Sequence, residues 1–420
     1  MRAWLLLSAL LAACDPYADW PDPHDLFPYV YTPESGLEPF ETVRWETETW
    51  DPLVDQEEAG LYLKKLLTHK RGAPDEVLEH FRQMKEQVPA VGRGARLSLV
   101  GDVMWVGGNW NRFATPSAAL LDGDLRVGNL ETPVSPDHPT SSMALGIYAF
   151  NAPVEMLQTL PLDLLQLNNN HSLDADDLGL ENTLAQVQKA GYRRVGVDAQ
   201  SDETVAGLRV ALLSYTWGVN DGRRSKKGHE LHVVPFGHLG QPIDLGMIER
   251  QVGEARDGGA EAVVVLLHWG FEFEYYPDPH FMVLARRIIA AGADLIVGQG
   301  PHVVQPVEIC HVNRPEHVPG VGTCSLRTDD GRARTAAVLY SLGDFGTTLP
   351  SLQHKVGLVA TASLDADGVG GLGWAAVASE SLPDGAGQSV KPLAGLAQGN
   401  EGYAEELERL EKHLGAGWRR

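Results

Sequence analysis

The chain is short of several things that would announce a function. Cysteine is nearly absent, with three in 420 residues, so no disulfide-dense scaffold and no Cys-based zinc module can be built from it. Positive charge is scarce: 34 Lys and Arg stand against 56 Asp and Glu, a formal net charge of −22. Such a surface repels phosphate backbones and argues against nucleic-acid binding. No GxxxxGK[ST] phosphate loop occurs, which disfavours nucleotide-driven chemistry. No GxSxG elbow occurs either, which weakens a serine-hydrolase reading. After the N-terminus, no apolar run reaches the length of a spanning helix.

The N-terminus reads MRAWLLLSALLAAC. Arg2 and a short apolar run suit an export signal rather than a mature membrane helix. The small residues before Cys14 resemble a bacterial lipoprotein signal, which predicts cleavage before Cys14, lipidation of it and anchoring of an exported protein to a membrane of the cell envelope. The other reading is an ordinary secretory signal with an incidental cysteine. Export leaves Cys310 and Cys324, fourteen positions apart, as a disulfide or as two buried thiols; the oxidising compartment favours the bridge.

The expected organisation is a signal over residues 1–14, a Pro-rich acidic tether and helical extension over 15–94, a catalytic-type body over 95–385 and a peripheral helical tail over 386–420. In the body, short apolar runs such as RLSLVGD, LDLLQLNNNH, AVVVLLHWG and DLIVGQGPH alternate with amphipathic stretches. Leu180, Leu184 and Val187 share a helical face closed by Gly191, and Phe281, Leu284 and Ile288 share another closed by Gly292. This alternation predicts an α/β class with buried strands.

Chemistry collects where those strands end, at Asp102, Glu131, Asn170 with His171, His268, His302 and Asp344. Strand ends form the ligand crevice of α/β sheets. Carboxylate, amide oxygen and imidazole together suit one or two divalent ions such as Zn, Mn or Fe. A histidine beside such a centre could protonate a leaving group. LLQLNNNHSLD puts three asparagines before His171; Asn168 and Asn169 are expected to brace the turn through left-handed backbone, and Asp174 to set up the following helix. His229, His232 and His238 read as a loop rather than a metal cluster. GRRSKKG is a basic patch that could hold a polyanion or form a solvated turn. The stretch 308–334 is expected as a loop braced over the strand ends.

At these residues the sequence resembles the bacterial capsule synthesis (CapA) family, linked to poly-γ-glutamate and similar in fold to calcineurin-like metallophosphoesterases. The matching stretches are GDVM at Gly101, GNLETPVS at Gly128, NNHSLDADDLG at Asn169, HWGFEFEYYPDP at His268, AGADLIVGQGPHVVQPVE at Ala291 and YSLGDF at Tyr340. The resemblance implies a layered α/β/β/α sandwich of metallophosphoesterase type. It implies Asp102, Glu131, Asn170, His268 and His302 as metal ligands, His171 as the catalytic histidine, and Asn169 and Glu272 as groups behind the ligands or facing substrate. It also implies a link to capsule machinery and to an anionic polymer such as polyglutamate.

Two positions depart from the family pattern. GQGPH has Gln299 and Gly300 where another loop histidine is usual, and SLGDF has Asp344 for Asn. Gln299 and Asp344 are the substitute ligands on offer, with Asp344 more simply an acceptor of backbone hydrogen bonds. Two functions follow: a metal-dependent hydrolase of a phosphoester or an envelope polymer, or a non-catalytic polymer-binding factor that keeps a degenerate metal site.

Overall fold

A computed structural model describes residues 72–104, 113–139, 151–220, 224–234, 244–349, 351–382 and 387–416 with Arg419. The signal, Cys14, the tether, Arg223 and His238 lie outside the described residues. Strands follow in the order β1 (Ala95–Val103), β2 (Leu125–Leu130), β3 (Leu164–Gln166), β4 (Arg193–Val195), β5 (Ser201–Val205), β6 (Leu208–Thr216), β7 (Ala262–His268), β8 (Leu295–Gln299), β9 (Val307–Val312), β10 (Cys324–Leu326), β11 (Arg334–Leu339), β12 (Asp344–Gly346), β13 (Val356–Asp365), β14 (Gly368–Ser381) and β15 (Gln388–Pro392). The principal helices are α1 (Asp75–Met84), α2 (Asp176–Lys189), α3 (Gly246–Asp257), α4 (Pro279–Ala290) and α5 (Glu401–Leu414).

One hydrogen-bonded path runs β4-β3-β2-β1-β13-β14-β11-β8-β7-β6-β5. It crosses from β14 to β11 at a single register position, Thr335 with Gly368. The path therefore behaves as two sheets. In the first, β1 to β4 are parallel and β13 joins β1 in the opposite direction. In the second, β6, β7, β8 and β11 are parallel.

Side-chain alternation explains the layering. Leu97, Leu99, Leu358 and Ala360 enter the larger core together with the second sheet's Val264, Leu266, Ile296 and Ala337. Val100, next after Leu99, and Val359, between Leu358 and Ala360, turn the other way, into a core with Leu180 and Val187 of α2. Strands buried on both faces need apolar residues at successive positions, and β7 is AVVVLLH, buried throughout. Helices α3 and α4 cover the second sheet through Ile248, Val252, Phe281, Leu284 and Ile288. The result is the expected α/β sandwich, helix on sheet on sheet on helix. Gly191 and Gly292 follow α2 and α4 with φ of 86° and 125°, where a glycine closes the helix without strain.

Three local expectations are corrected. Residues 308–334 are not a loop over the strand ends. They form β9, antiparallel along β11, and β10 beside it, with the Cys310–Cys324 disulfide joining these neighbouring strands. The terminal helix is not peripheral: Tyr403, Leu410 and Leu414 belong to the main core, because an apolar stripe on a charged helix needs a surface to bury against. Asp344 does not end β11 but begins the short β12, paired in register with Asp102.

Candidate functional site

The parallel strands of both sheets deliver their C-terminal ends to one place. Asp102 closes β1 through a close backbone approach: its N–H donates to the Gly343 carbonyl at 3.1 Å. A Cβ on Gly101 would lie 1.7 Å from that oxygen, so only glycine fits before the aspartate. Glu131 follows β2, His268 ends β7, and His302 follows β8 after Gln299 and Gly300. His302 has φ 55°, the left-handed region that a histidine adopts at a cost and that concentrates at functional sites.

Glu131 is the hub. Its Oε1 lies 3.4 Å from His268 Nε2, 3.8 Å from His302 Nε2 and 3.9 Å from His171 Nε2. Both its oxygens are buried without a hydrogen-bond partner. Burial first, then the charges of Asp102, Asp344, Glu272 and Asp174, push its carboxyl well above the usual range. Asp102 is held by Asn129 Nδ2 at 2.8 Å and the Gly300 N–H at 3.0 Å; burial still raises it to about 6. Burial, then His302 and His171, push His268 well below the usual histidine range. Asp344, which burial raises strongly, lies 2.8 Å from His302 Nδ1. It serves the histidine, not backbone donors, and so fixes which ring nitrogen of His302 faces Glu131.

These residues fit a divalent cation. Donors around a tetrahedral ion at roughly 2.0–2.2 Å stand roughly 3.3–3.6 Å apart, close to the spacings about Glu131. Asp102, Glu131 and His302 each offer an atom within 4.8 Å of the others. A buried carboxylate with no donor is costly, and a cation is the usual remedy.

The asparagine run divides its work. Asn170 Oδ1 is buried without a partner, while its Nδ2 donates to Asn220 Oδ1 at 3.1 Å. Asn169 donates to Asn129 Oδ1 at 3.0 Å and to the Leu130 carbonyl at 2.9 Å, and accepts the His171 N–H at 3.1 Å. Asn168 donates to the Ser214 and His232 carbonyls at 3.3 and 3.0 Å. Neither Asn168 nor Asn169 has positive φ; they brace the turn through their amides. Asp174 does not cap α2. Its Oδ2 lies 2.6 Å from His171 Nδ1, and Asn220 reaches its Oδ1 at 3.2 Å.

Sequence reasoning missed Asn129, Asp174 in this role, and Asn220. Asn129 and Asp174 sat inside quoted motifs. Asn220 carried no signal, being fifty residues from Asn170. Gln299 turns its Nε2 to the Val100 carbonyl at 3.2 Å, leaving its buried Oε1 without a partner. Glu272 is buried close enough to Glu131 to raise it. His229 pairs with Asp198 at 2.8 Å and His232 is buried at 3.2 Å from the Gly196 carbonyl, so the two do not converge. Trp217 and Trp269 pack with Phe281 in the core.

A two-sheet α/β sandwich with a carboxylate–imidazole cluster across its strand ends is of the metallophosphoesterase-like fold class. Within that class, the chain belongs to the bacterial capsule synthesis protein family PGA_cap, whose sequence model matches residues 96–348, more than half of its length. A capsule biosynthesis protein CapA of Bacillus anthracis is 29% identical over 60% of this chain and 65% of its own. A PGA biosynthesis protein CapA of Bacillus subtilis is 31% identical over 44% of this chain and 49% of its own. A probable polyglutamine synthesis accessory protein of Mycobacterium tuberculosis is 27% identical over 44% and 52%. The chain thus spans about half to two thirds of the length of these relatives. The family's fold suggests divalent metal, and the Glu131 cluster offers it a place.

Proposed function

We propose that this chain is an exported, lipid-anchored envelope protein that acts on an anionic capsule polymer of the poly-γ-glutamate kind as a metal-dependent hydrolase. The unpartnered Glu131 carboxylate ringed by three imidazole Nε2 atoms carries the reading. Asp102, Glu131, His268 and His302 would hold the metal, and the buried, unpartnered Asn170 amide oxygen would join them. When bound, the ion would supply Lewis-acid polarisation and a nucleophile at neutral pH. His171 presents Nε2 to the cleft while Asp174 holds its Nδ1 and Asn220 in turn donates to Asp174, the arrangement for moving a proton to a leaving group. Asn169 fixes the His171 backbone, and Asn129 keeps Asp102 turned inward.

A second reading, a polymer-binding factor without turnover, is favoured by one observation. Gly300 offers no side chain, and a Cβ there would lie 3.3 Å from the His268 ring. Metal analysis of the purified protein, followed by hydrolysis assays on phosphoesters and γ-linked polyglutamate, separates the two. Metal bound with hydrolysis lost in His171→Gln supports the enzyme; wild-type protein without metal or turnover sinks it.

A further inference from the structure

The net charge of −22 makes any concentration of cations on this molecule informative. One occurs away from the strand ends. A cleft of about 690 Å³ lies between α1, α5 and the tyrosines Tyr275 and Tyr276, and Arg82, Lys85, Arg409 and Lys412 all line it. That volume is typical of a small-ligand site.

Arg82 is held bidentately by Glu79 at 2.6 Å, and Glu405 and Glu406 line the cleft as well, so the cations left to a ligand are Lys85, Arg409 and Lys412. Arg409 stacks on the Tyr275 ring at 4.4 Å and chelates Glu406 at 2.6 and 3.0 Å. Its Nη1 is nonetheless buried with no hydrogen-bond partner. Lys85 donates to the Lys412 carbonyl at 2.8 Å, leaving two ammonium hydrogens. Among the described residues, no carboxylate pairs with the Lys412 ammonium. The Arg409 guanidinium, pinned on an aromatic face and still partly exposed, stands with the Lys412 ammonium as a preorganised attraction for a carboxylate. The tyrosine walls give methylene-rich chain an apolar surface to lie on.

The cleft also backs onto the strand-end site. Phe273 packs its ring 6.1 Å from that of His302 and donates its N–H to the Pro301 carbonyl at 2.8 Å. Two residues on, the Tyr275 carbonyl contacts His413 Nε2 at 2.8 Å. The segment 272–276 therefore has the metal-type cluster on one side and the cationic cleft on the other.

We propose that this cleft is a second binding site, which holds a carboxylate-bearing chain by Arg409 and Lys412 while the strand-end site engages another part of it. The proposal rests on the anionic-polymer reading above. The test is fluorescence anisotropy of a fluorescein-labelled γ-linked glutamate oligomer titrated with the full chain at low salt. Arg409→Gln with Lys412→Gln should weaken binding about tenfold, roughly the cost of losing a charge-assisted contact. Lys412→Arg should bind nearly as wild type, and the wild-type affinity should fall as salt rises. Thermal melts establish that each variant is folded.

Wild-type binding that the double variant leaves unchanged would overturn the cleft and spare the polymer reading. No binding by the wild type would remove both. Displacement of the oligomer by equimolar inorganic phosphate would mark a simple anion site and overturn its assignment to a chain.

Discussion

His302 Nδ1 and Asp344 Oδ1 lie 2.8 Å apart, both buried, and His302 carries the unusual φ of 55°. The contact turns Nε2 of the same ring toward Glu131, 3.8 Å away. A carboxylate behind a ligating histidine fixes its tautomer and raises its basicity, and removing such a partner typically costs ~10–100-fold in metal affinity. Asp344→Ala should therefore weaken Zn²⁺ or Mn²⁺ binding by about that factor in a chelator-competition titration. Asp344→Asn keeps an oxygen acceptor for Nδ1–H and should lose far less. Equal losses in both would mean that Asp344 does not act through His302.

Glu131 supplies a second prediction. Its two oxygens are buried and unpartnered, so apo protein carries a cost that an ion removes. At a concentration 100 times its dissociation constant, an ion stabilises by about 2.7 kcal/mol. Chelator should lower the melting temperature of wild type. Glu131→Gln should be insensitive to chelator and melt at or above the chelated wild type. A chelator response retained in Glu131→Gln would place the metal elsewhere.

Asp174 and Asn220 predict the state of His171. With Asp174 Oδ2 at 2.6 Å from Nδ1, the neutral ring should carry its proton on Nδ1 and none on Nε2. Nitrogen-15 NMR of the imidazole should report that tautomer. Asp174→Asn should redistribute it without unfolding the protein, since Asn220 still braces the loop through Asn170. Nε2 protonation in the wild type would contradict the assignment.

The limits of the sequence follow from the same residues. Alternation of apolar residues marked the strands and helices because their burial is periodic, as β7 and α4 illustrate. The ligand types were legible because, Asp344 apart, each lies at or just beyond the end of a strand. Partnerships across strands were not: Asn129 with Asp102, and Asn220 with Asn170, are set by sheet order and by a loop conformation that no local pattern encodes. The Asn168 and Asn169 error has one cause, a preference of the residue type read as a backbone conformation when tertiary acceptors had claimed the side chains. The long β9–β11 pairing was missed because β9 and β10, VEICHV and CSL, are short and polar enough to read as loop.

Gly101 tests the geometry beneath the site. A Cβ there would overlap the Gly343 carbonyl at 1.7 Å, and β1 cannot shift without displacing Asp102 from its register with Asp344. Overpacking of a close-packed interior costs typically ~1–3 kcal/mol, and backbone overlap belongs at or beyond the upper end. Gly101→Ala should lower denaturation stability by about 3 kcal/mol or more and abolish metal binding. A variant as stable as wild type would show that the two backbones are not packed so closely.

Acid stability should depend on the buried network around Glu308. Glu308 is fully buried, and burial by itself would raise its carboxyl. Arg286, at 2.5 Å, and His80, at 2.7 Å, overcome that and hold it at about 2. Tyr340 adds a hydrogen bond at 2.9 Å. In the unfolded chain the same carboxyl titrates near 4.5. A depressed folded value means that the stabilisation is complete above about pH 4.5 and drains away as pH falls from there toward 2. The depressed carboxyl corresponds to a contribution on the order of 3 kcal/mol at neutral pH. Glu308→Gln removes that titration but leaves Arg286 buried without its anion, so it should be destabilised at pH 7 by a comparable amount. Its disadvantage relative to wild type should then shrink between pH 4.5 and pH 2, measured by urea unfolding at fixed pH. A constant difference across that interval would show that Glu308 titrates the same way folded and unfolded, and that the buried Arg286 pairing contributes nothing specific to the acid limb.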